Sequence, residues 1–198
     1  MRKDERGFQL VELVVVLAIF TLFLALAAPP ILRLSGELRL RLAAEEVVAT
    51  MRLARATAVR HCANVALKFR PRADGRSTWA LYRDGDGDGV LTKDIDKGVD
   101  PQIEPPRQLE QIGSRVRFGF PPGRPARDPG NPSAWLRRGD DPIRFNESDL
   151  ASFGPLGTAT PGSVYLTDNS GALAAVRVTG RTGKVKVIVY DFREEVWK

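Results

Sequence analysis

Gly7-Phe8-Gln9-Leu10-Val11-Glu12 leads into the apolar run LVVVLAIFTLFLALAAPPIL, Leu13 to Leu32, and this junction decides the fold. No charge occurs from Leu13 to Leu32, and Thr21 carries the only hydrogen-bonding side chain there. A helix rises about 1.5 Å per residue, so roughly 20 residues span about 30 Å, the hydrocarbon thickness of a bilayer. Arg2, Lys3 and Arg6 precede the run and predict an N-terminus on the cytoplasmic side. Glu12 is the anomaly. A carboxylate at the membrane edge costs free energy and marks function by default.

Three readings compete for this segment. A cleaved secretory signal finds a small-x-small site at Ala25-Leu26-Ala27, but the apolar run is longer than such signals use and Pro29 lies just past the cut. A plain signal anchor leaves Glu12 unexplained. The third reading accounts for every feature: Gly7-Phe8-Gln9-Leu10-Val11-Glu12-Leu13 closely resembles the prepilin signal of type IV pilins and type II secretion pseudopilins. That resemblance implies a leader of residues 1–7, cut between Gly7 and Phe8 by a membrane prepilin peptidase, with N-methylation of Phe8. It also places Glu12 near the start of the mature chain and Pro29 where helices of the family kink. Cleavage would create a cationic amine at Phe8. Inside a filament of apolar helices, that amine and Glu12 of a neighbouring subunit neutralise each other, and any register that leaves one unpaired is penalised.

The remainder is polar and arginine-rich. The 198 residues suffice for one domain of ordinary size beyond the N-terminal segment, and the net charge of +6 permits acidic lipid or nucleic acid as a partner without demanding either. Cys62 is the only cysteine, so no internal disulfide forms; with His61 as the only histidine, a metal-ligand quartet is excluded. Adjacent side chains diverge on a helix or strand, which removes a Cys62–His61 catalytic pair as well. No phosphate loop, nucleophile elbow or zinc signature occurs, so the chain reads as a non-enzyme. Trp79, Trp135 and Trp197 read as core or interface anchors.

The expected fold is α+β: a long N-terminal helix, first transmembrane and then amphipathic, packed on an antiparallel β domain. Residues 8–32 form the transmembrane and filament-core part, residues 33–61 the amphipathic part, and residues 62–198 the β-rich domain. Pro29-Pro30 removes two backbone donors and predicts a kink or break. Leu40, Val47, Met51, Ala54 and Ala58 form one stripe at helical period, with Glu45, Arg52 and Arg60 opposite. Asn64–Phe69 and Trp79–Arg83 read as a hairpin around Asp74-Gly75. Arg115–Phe120, Ile143–Phe145, Ser163–Thr167, Ala172–Thr179 and Lys184–Asp191 read as further strands, the last three as a meander. Residues 84–100 read as an acidic loop. Residues 121–142, dense in proline and glycine, read as a long surface loop without a packed element.

This layout resembles the GspH/FimT-type minor pseudopilins and pilins. The matching features are the prepilin start, the long helix, Phe153-Gly154-Pro155-Leu156-Gly157, Ser163-Val164-Tyr165-Leu166-Thr167, Ala174–Val178 and Gly183-Lys184-Val185-Lys186-Val187. The resemblance implies a minor pseudopilin of a type II secretion system near the tip of a periplasmic pseudopilus. Its implied partners are other pseudopilins, the prepilin peptidase and methyltransferase, and the inner-membrane assembly platform. The alternative is a minor type IV pilin acting in pilus assembly or DNA uptake, for which Arg181, Lys184 and Lys186 would contact nucleic acid. On the bland account these cations guard the solvent side of an edge strand.

One motif suggests a metal. Asp84, Asp86 and Asp88 take the first, third and fifth places of an EF-hand-like loop, Gly89 gives the turn, and Val90 offers a carbonyl, a spacing suited to calcium. The closing bidentate glutamate is missing, since Ile95 stands there, so Asp94 or Asp96 would have to substitute. The competing account is an acidic connection between strands, relieved by solvent.

Overall fold

A computed structural model describes residues 6–71, 77–112, 115–168, 171–180 and 182–198; the side chains of residues 6–9, 27–35, 71 and 110 lie outside that description. The chain divides into two units, Met1–Gly36 and Glu37–Lys198. Helix α1 is assigned from Arg6 to His61, with Pro29 and Pro30 inside its run. The expected turn at Asp74-Gly75, and Arg181, fall outside the described residues.

The second unit is organised by the stripe on α1. Leu40, Val47, Met51, Ala54 and Ala58 are buried together with Ala43, Ala44 and Val48, while Glu45, Arg52 and Arg60 remain exposed. Small residues dominate this stripe, which lets sheets approach the helix closely. The helix ends where Cys62 takes a left-handed φ of 50°. Cys62 N–H then donates to Val59 O and Ala63 N–H to Ala58 O, so two orphan carbonyls of the last turn are satisfied.

The strands follow in order: β1 (Val65–Pro71), β2 (Ser77–Arg83), then helix α2 (Thr92–Lys97), β3 (Arg107–Gln108), β4 (Arg117–Phe118), β5 (Ala126–Arg127), β6 (Trp135–Leu136), β7 (Ile143–Arg144), β8 (Leu150–Phe153), β9 (Gly162–Thr167), β10 (Leu173–Thr179), β11 (Lys184–Asp191) and β12 (Val196–Trp197). They form a four-stranded sheet ordered β3-β2-β1-β8 and a six-stranded sheet ordered β12-β11-β10-β9-β4, with β7 also on β9. All the named strand pairs are antiparallel. The expected hairpin and meander are both present. The fold is α+β, a long helix packed against antiparallel sheets.

The inner faces of both sheets close on the helix stripe. Val65, Leu67 and Phe69 from β1, Trp79 and Leu81 from β2, Val164 and Leu166 from β9, and Ala174, Val176 and Val178 from β10 join one core. Phe118 stands edge-on to Trp79 and Phe69, with ring centroids 5.9 Å and 5.7 Å apart. Edge-to-face contacts of this kind use the ring quadrupoles favourably. Trp79 Nε1 donates to Thr50 Oγ1 on α1 at 3.3 Å, which satisfies the indole donor inside the core.

The two inserts do more than connect. Residues 121–142 differ from the expected bare loop: β5 and β6 pair there, and Ala126 and Leu136 are buried. They pack on Phe120, Tyr165, Leu173, Ala175 and Tyr190, the outer face of the larger sheet. Tyr190 Oη accepts from Arg127 N–H at 3.2 Å, and Trp197 Nε1 donates to Arg127 O at 2.7 Å, which pin this cover to the sheet. In the other insert, Val90 and Ile95 cover Ala66, Ala80, Tyr82 and Leu150 on the outer face of the smaller sheet. Prolines and short ladders hide such elements from periodicity, because burial comes from tertiary contact.

Candidate functional site

Three regions carry the residues singled out by sequence. In the first unit, Gly7 and Phe8 lie within α1, their side chains outside the description. Glu12 is exposed, flanked by exposed Leu10, Val11 and Leu13, and the apolar residues onward to Leu26 stand half to two-thirds open. So much uncovered apolar surface is unstable in water and calls for lipid or other helices. Thr21 Oγ1 donates to Leu17 O, so the one polar side chain in the run is satisfied inside its own helix. Among the described residues no helix is long and apolar enough to cross a membrane.

The second region is the acidic loop after β2. Asp84, Asp86 and Asp88 each place a carboxylate oxygen within 4.8 Å of the others. Asp84 folds the loop around itself: Gly87 N–H donates to Oδ1 at 2.7 Å, while Gly89 N–H and Asn64 Nδ2 both donate to Oδ2 at 2.9 Å. Desolvation pushes the Asp84 carboxyl up, but the Asn64 and backbone bonds outweigh it and hold the group below the usual carboxylate range. Asp88 is displaced the other way, by desolvation first and then by the Asp86 carboxylate, against the pull of Lys93.

Of the two proposed closing acids, the structure separates them. Asp96 is exposed and points to Arg70, 3.7 Å away. Asp94 is buried, and its Oδ2 has no hydrogen-bond donor. The ammonium of Lys93 stands 3.4 Å from that oxygen and 3.7 Å from Asp88 Oδ2, a cation already seated between the two acids. Ile95, at the place of the missing glutamate, is spent on the hydrophobic cover. Val90 is likewise buried there. Asp100 was not legible from the motif because it lies beyond it. It is 1% exposed and accepts from Gly85 N–H at 3.0 Å and Leu91 N–H at 2.9 Å, clamping both ends of the loop. Gly85 is required at this clamp, since a Cβ there would lie 1.9 Å from Val99 O.

The third region is the outer face of β10 and β11. Lys184 and Lys186 are exposed and share one face, with Arg177 directly across from Lys186. The third cation expected there, Arg181, lies outside the described residues. A cleft of about 780 Å³ beside them also contains Asp128, Glu194 and Glu195. The lining of this cleft is therefore of mixed sign.

The family model described as Type II transport protein GspH matches residues 43–183, and the model of the prokaryotic N-terminal methylation motif matches residues 2–28. No curated protein and no solved structure matches the chain.

Proposed function

The chain belongs to the GspH family of type II secretion pseudopilins, structural proteins without enzymatic activity, and we propose that it is a minor pseudopilin incorporated near the tip of the pseudopilus. The observation that carries this reading is the meeting of two matches on one helix. The methylation motif covers the start of α1, whose apolar side chains are uncovered, and the GspH match begins at residue 43, on the stripe that builds the β domain's core. The motif implies inner-membrane anchoring before assembly; the family implies other pseudopilins and a prepilin peptidase as partners. In the proposed sequence of events, the peptidase hydrolyses the Gly7–Phe8 peptide bond on the cytoplasmic side, and the new amine of Phe8 takes a methyl group from a sulfonium methyl donor, which leaves as a thioether while the amine gives up a proton. The assembly platform then draws the helix from the bilayer, and the domain moves on the periplasmic side.

Mass spectrometry of the native protein should find a chain beginning at N-methylated Phe8. An intact leader, or a start near residue 27, would remove the assignment of Gly7, Phe8 and Glu12 together. The tip position has its own test. Immunogold against an epitope on the β domain should decorate filament ends, and label spread evenly along the filaments would refute it.

The aspartate triad has the donors to bind a metal. We infer that the ion is calcium, a hard cation suited to convergent carboxylates. Beyond the triad, Asp94 supports this: the Lys93 ammonium reaches both this buried carboxylate and Asp88, so one cation already spans the two acids. Calcium would displace Lys93 from between Asp88 and Asp94. Calorimetric titration should show binding, with a melting temperature several degrees higher in saturating calcium, about 3 kcal/mol at a hundredfold excess over Kd. Asp88→Asn should abolish the shift. Since Asp88 is raised above the ordinary carboxylate range, acidification should weaken binding from a higher pH than an unperturbed aspartate would give. Absence of both heat and thermal shift would leave an acidic connection only.

A further inference from the structure

Strand β11 is paired with β10 along residues 184–189, but on its other side a strand is paired only at the end. There β12 pairs with Tyr190 and Asp191, and Val189 and Lys198 exchange N–H to O bonds of 2.8 and 2.9 Å. Among the described residues no strand lies beside residues 184–188 on that side. Antiparallel alternation fixes which groups are left. Because Val189 exchanges both bonds with Lys198, the residues two and four before it, Val187 and Val185, turn N–H and C=O outward as well. Lys184, Lys186 and Ile188 spend theirs on β10. An open row of this kind is a template for another strand.

The cleft beside this edge has a matching character. Ile188, Val196 and Trp197 give it an apolar floor, and Arg177 and Lys186 stand over it. Each of its acids meets a cation of the chain: Asp128 meets Arg144 at 3.0 Å, Glu195 meets Arg127 at 3.2 Å and Glu194 meets Lys198 at 2.9 Å, with Arg144 shared with Asp140 and Lys198 with Asp191. Arg177 and Lys186 have no acidic partner among the described residues. These two are therefore the cations of the cleft that an acid from outside the chain can meet.

We infer that the open edge of β11 receives an extended acidic segment of another polypeptide, which adds a strand to the larger sheet. Its backbone would bond to Val185 and Val187, its carboxylates would face Arg177 and Lys186, and an apolar side chain would rest on Ile188 and Trp197. Lys184 and Lys186 decide against a second copy of this chain, because edge-to-edge pairing of two such strands sets like charges together. They decide for an acidic partner by the same electrostatics. This surface goes beyond the pseudopilin reading, which rests on the N-terminal motif and the family match and stands whether or not β11 is occupied.

The test uses the full chain in detergent micelles and a short synthetic peptide alternating valine and glutamate, followed by fluorescence anisotropy. The acidic peptide should bind, its valine-lysine counterpart should not, and methylation of alternate backbone amides should abolish binding in one of the two registers. Lys186→Glu and Arg177→Gln should each weaken binding about tenfold, with unchanged circular dichroism showing that the fold survives. The inference is overturned if the amide-methylated peptides bind as well as the parent in both registers, or if neither variant alters binding. It is equally overturned if the acidic peptide does not bind, including the case in which an oligodeoxythymidine binds instead.

Discussion

Replacing Trp79 with alanine is expected to cost the β domain about 3–5 kcal/mol, the range found when a large aromatic is removed from a packed core. Trp79 is 1% exposed and touches every layer of the unit: it sits on β2, bonds to Thr50 on α1, and meets Phe118 of the larger sheet edge-on. No neighbour can collapse into the space without losing one of these contacts. A domain of this size has about 5–15 kcal/mol of stability in total, and each kcal/mol shifts the melting temperature by roughly 2–4 °C. Thermal denaturation should therefore show a fall on the order of ten degrees. Trp79→Phe should cost much less, because it keeps most of the ring. Thr50 Oγ1 also stays satisfied, donating to Glu46 O at 2.9 Å. If both variants melted alike, the volume argument would fail and the indole hydrogen bond would be the dominant contribution.

The stripe that receives Trp79 was legible in the sequence because a 3.6-residue period was sustained across several turns of α1. The long strands were legible for a related reason, each having enough residues to show a pattern between turn signals. The two-residue ladders β3, β5, β6 and β12 were not, since their pairing is imposed by distant partners and two residues have no period. The role of the inserts was hidden by their proline, glycine and aspartate content. A clue did exist. Val65, Ala66 and Leu67, or Leu173 through Val176, are apolar without alternation, and a strand buried on both faces requires a cover on each side. At the sites, Asp84, Asp86 and Asp88 could be read from spacing alone. Asp100 and the cleft beside β11 could not, because their parts are separated in sequence and only the folded chain joins Arg127, Arg177 and Trp197.

The N-terminal motif makes the sharpest functional demand, and Glu12→Val should meet it with an all-or-nothing phenotype. The variant lengthens the apolar run, so insertion into the membrane should be unchanged or slightly favoured. Incorporation into filaments should fall steeply. In the proposed packing the amine of Phe8 is buried among apolar helices with Glu12 of the adjacent subunit as its partner. Breaking such a pair from one side leaves a buried charge uncompensated at a cost of about 3–5 kcal/mol, a loss of roughly two to four orders of magnitude in an assembly equilibrium. Glu12→Gln tests the charge apart from the shape, since it can still accept a hydrogen bond from the amine. It should be impaired less than valine and more than the native chain. The readout is the ratio of the chain in sheared filaments to that in membranes, with leader processing followed by mass spectrometry as a control. Equal filament and membrane ratios for the native chain and Glu12→Val, with normal processing, would mean that Glu12 does not set the register.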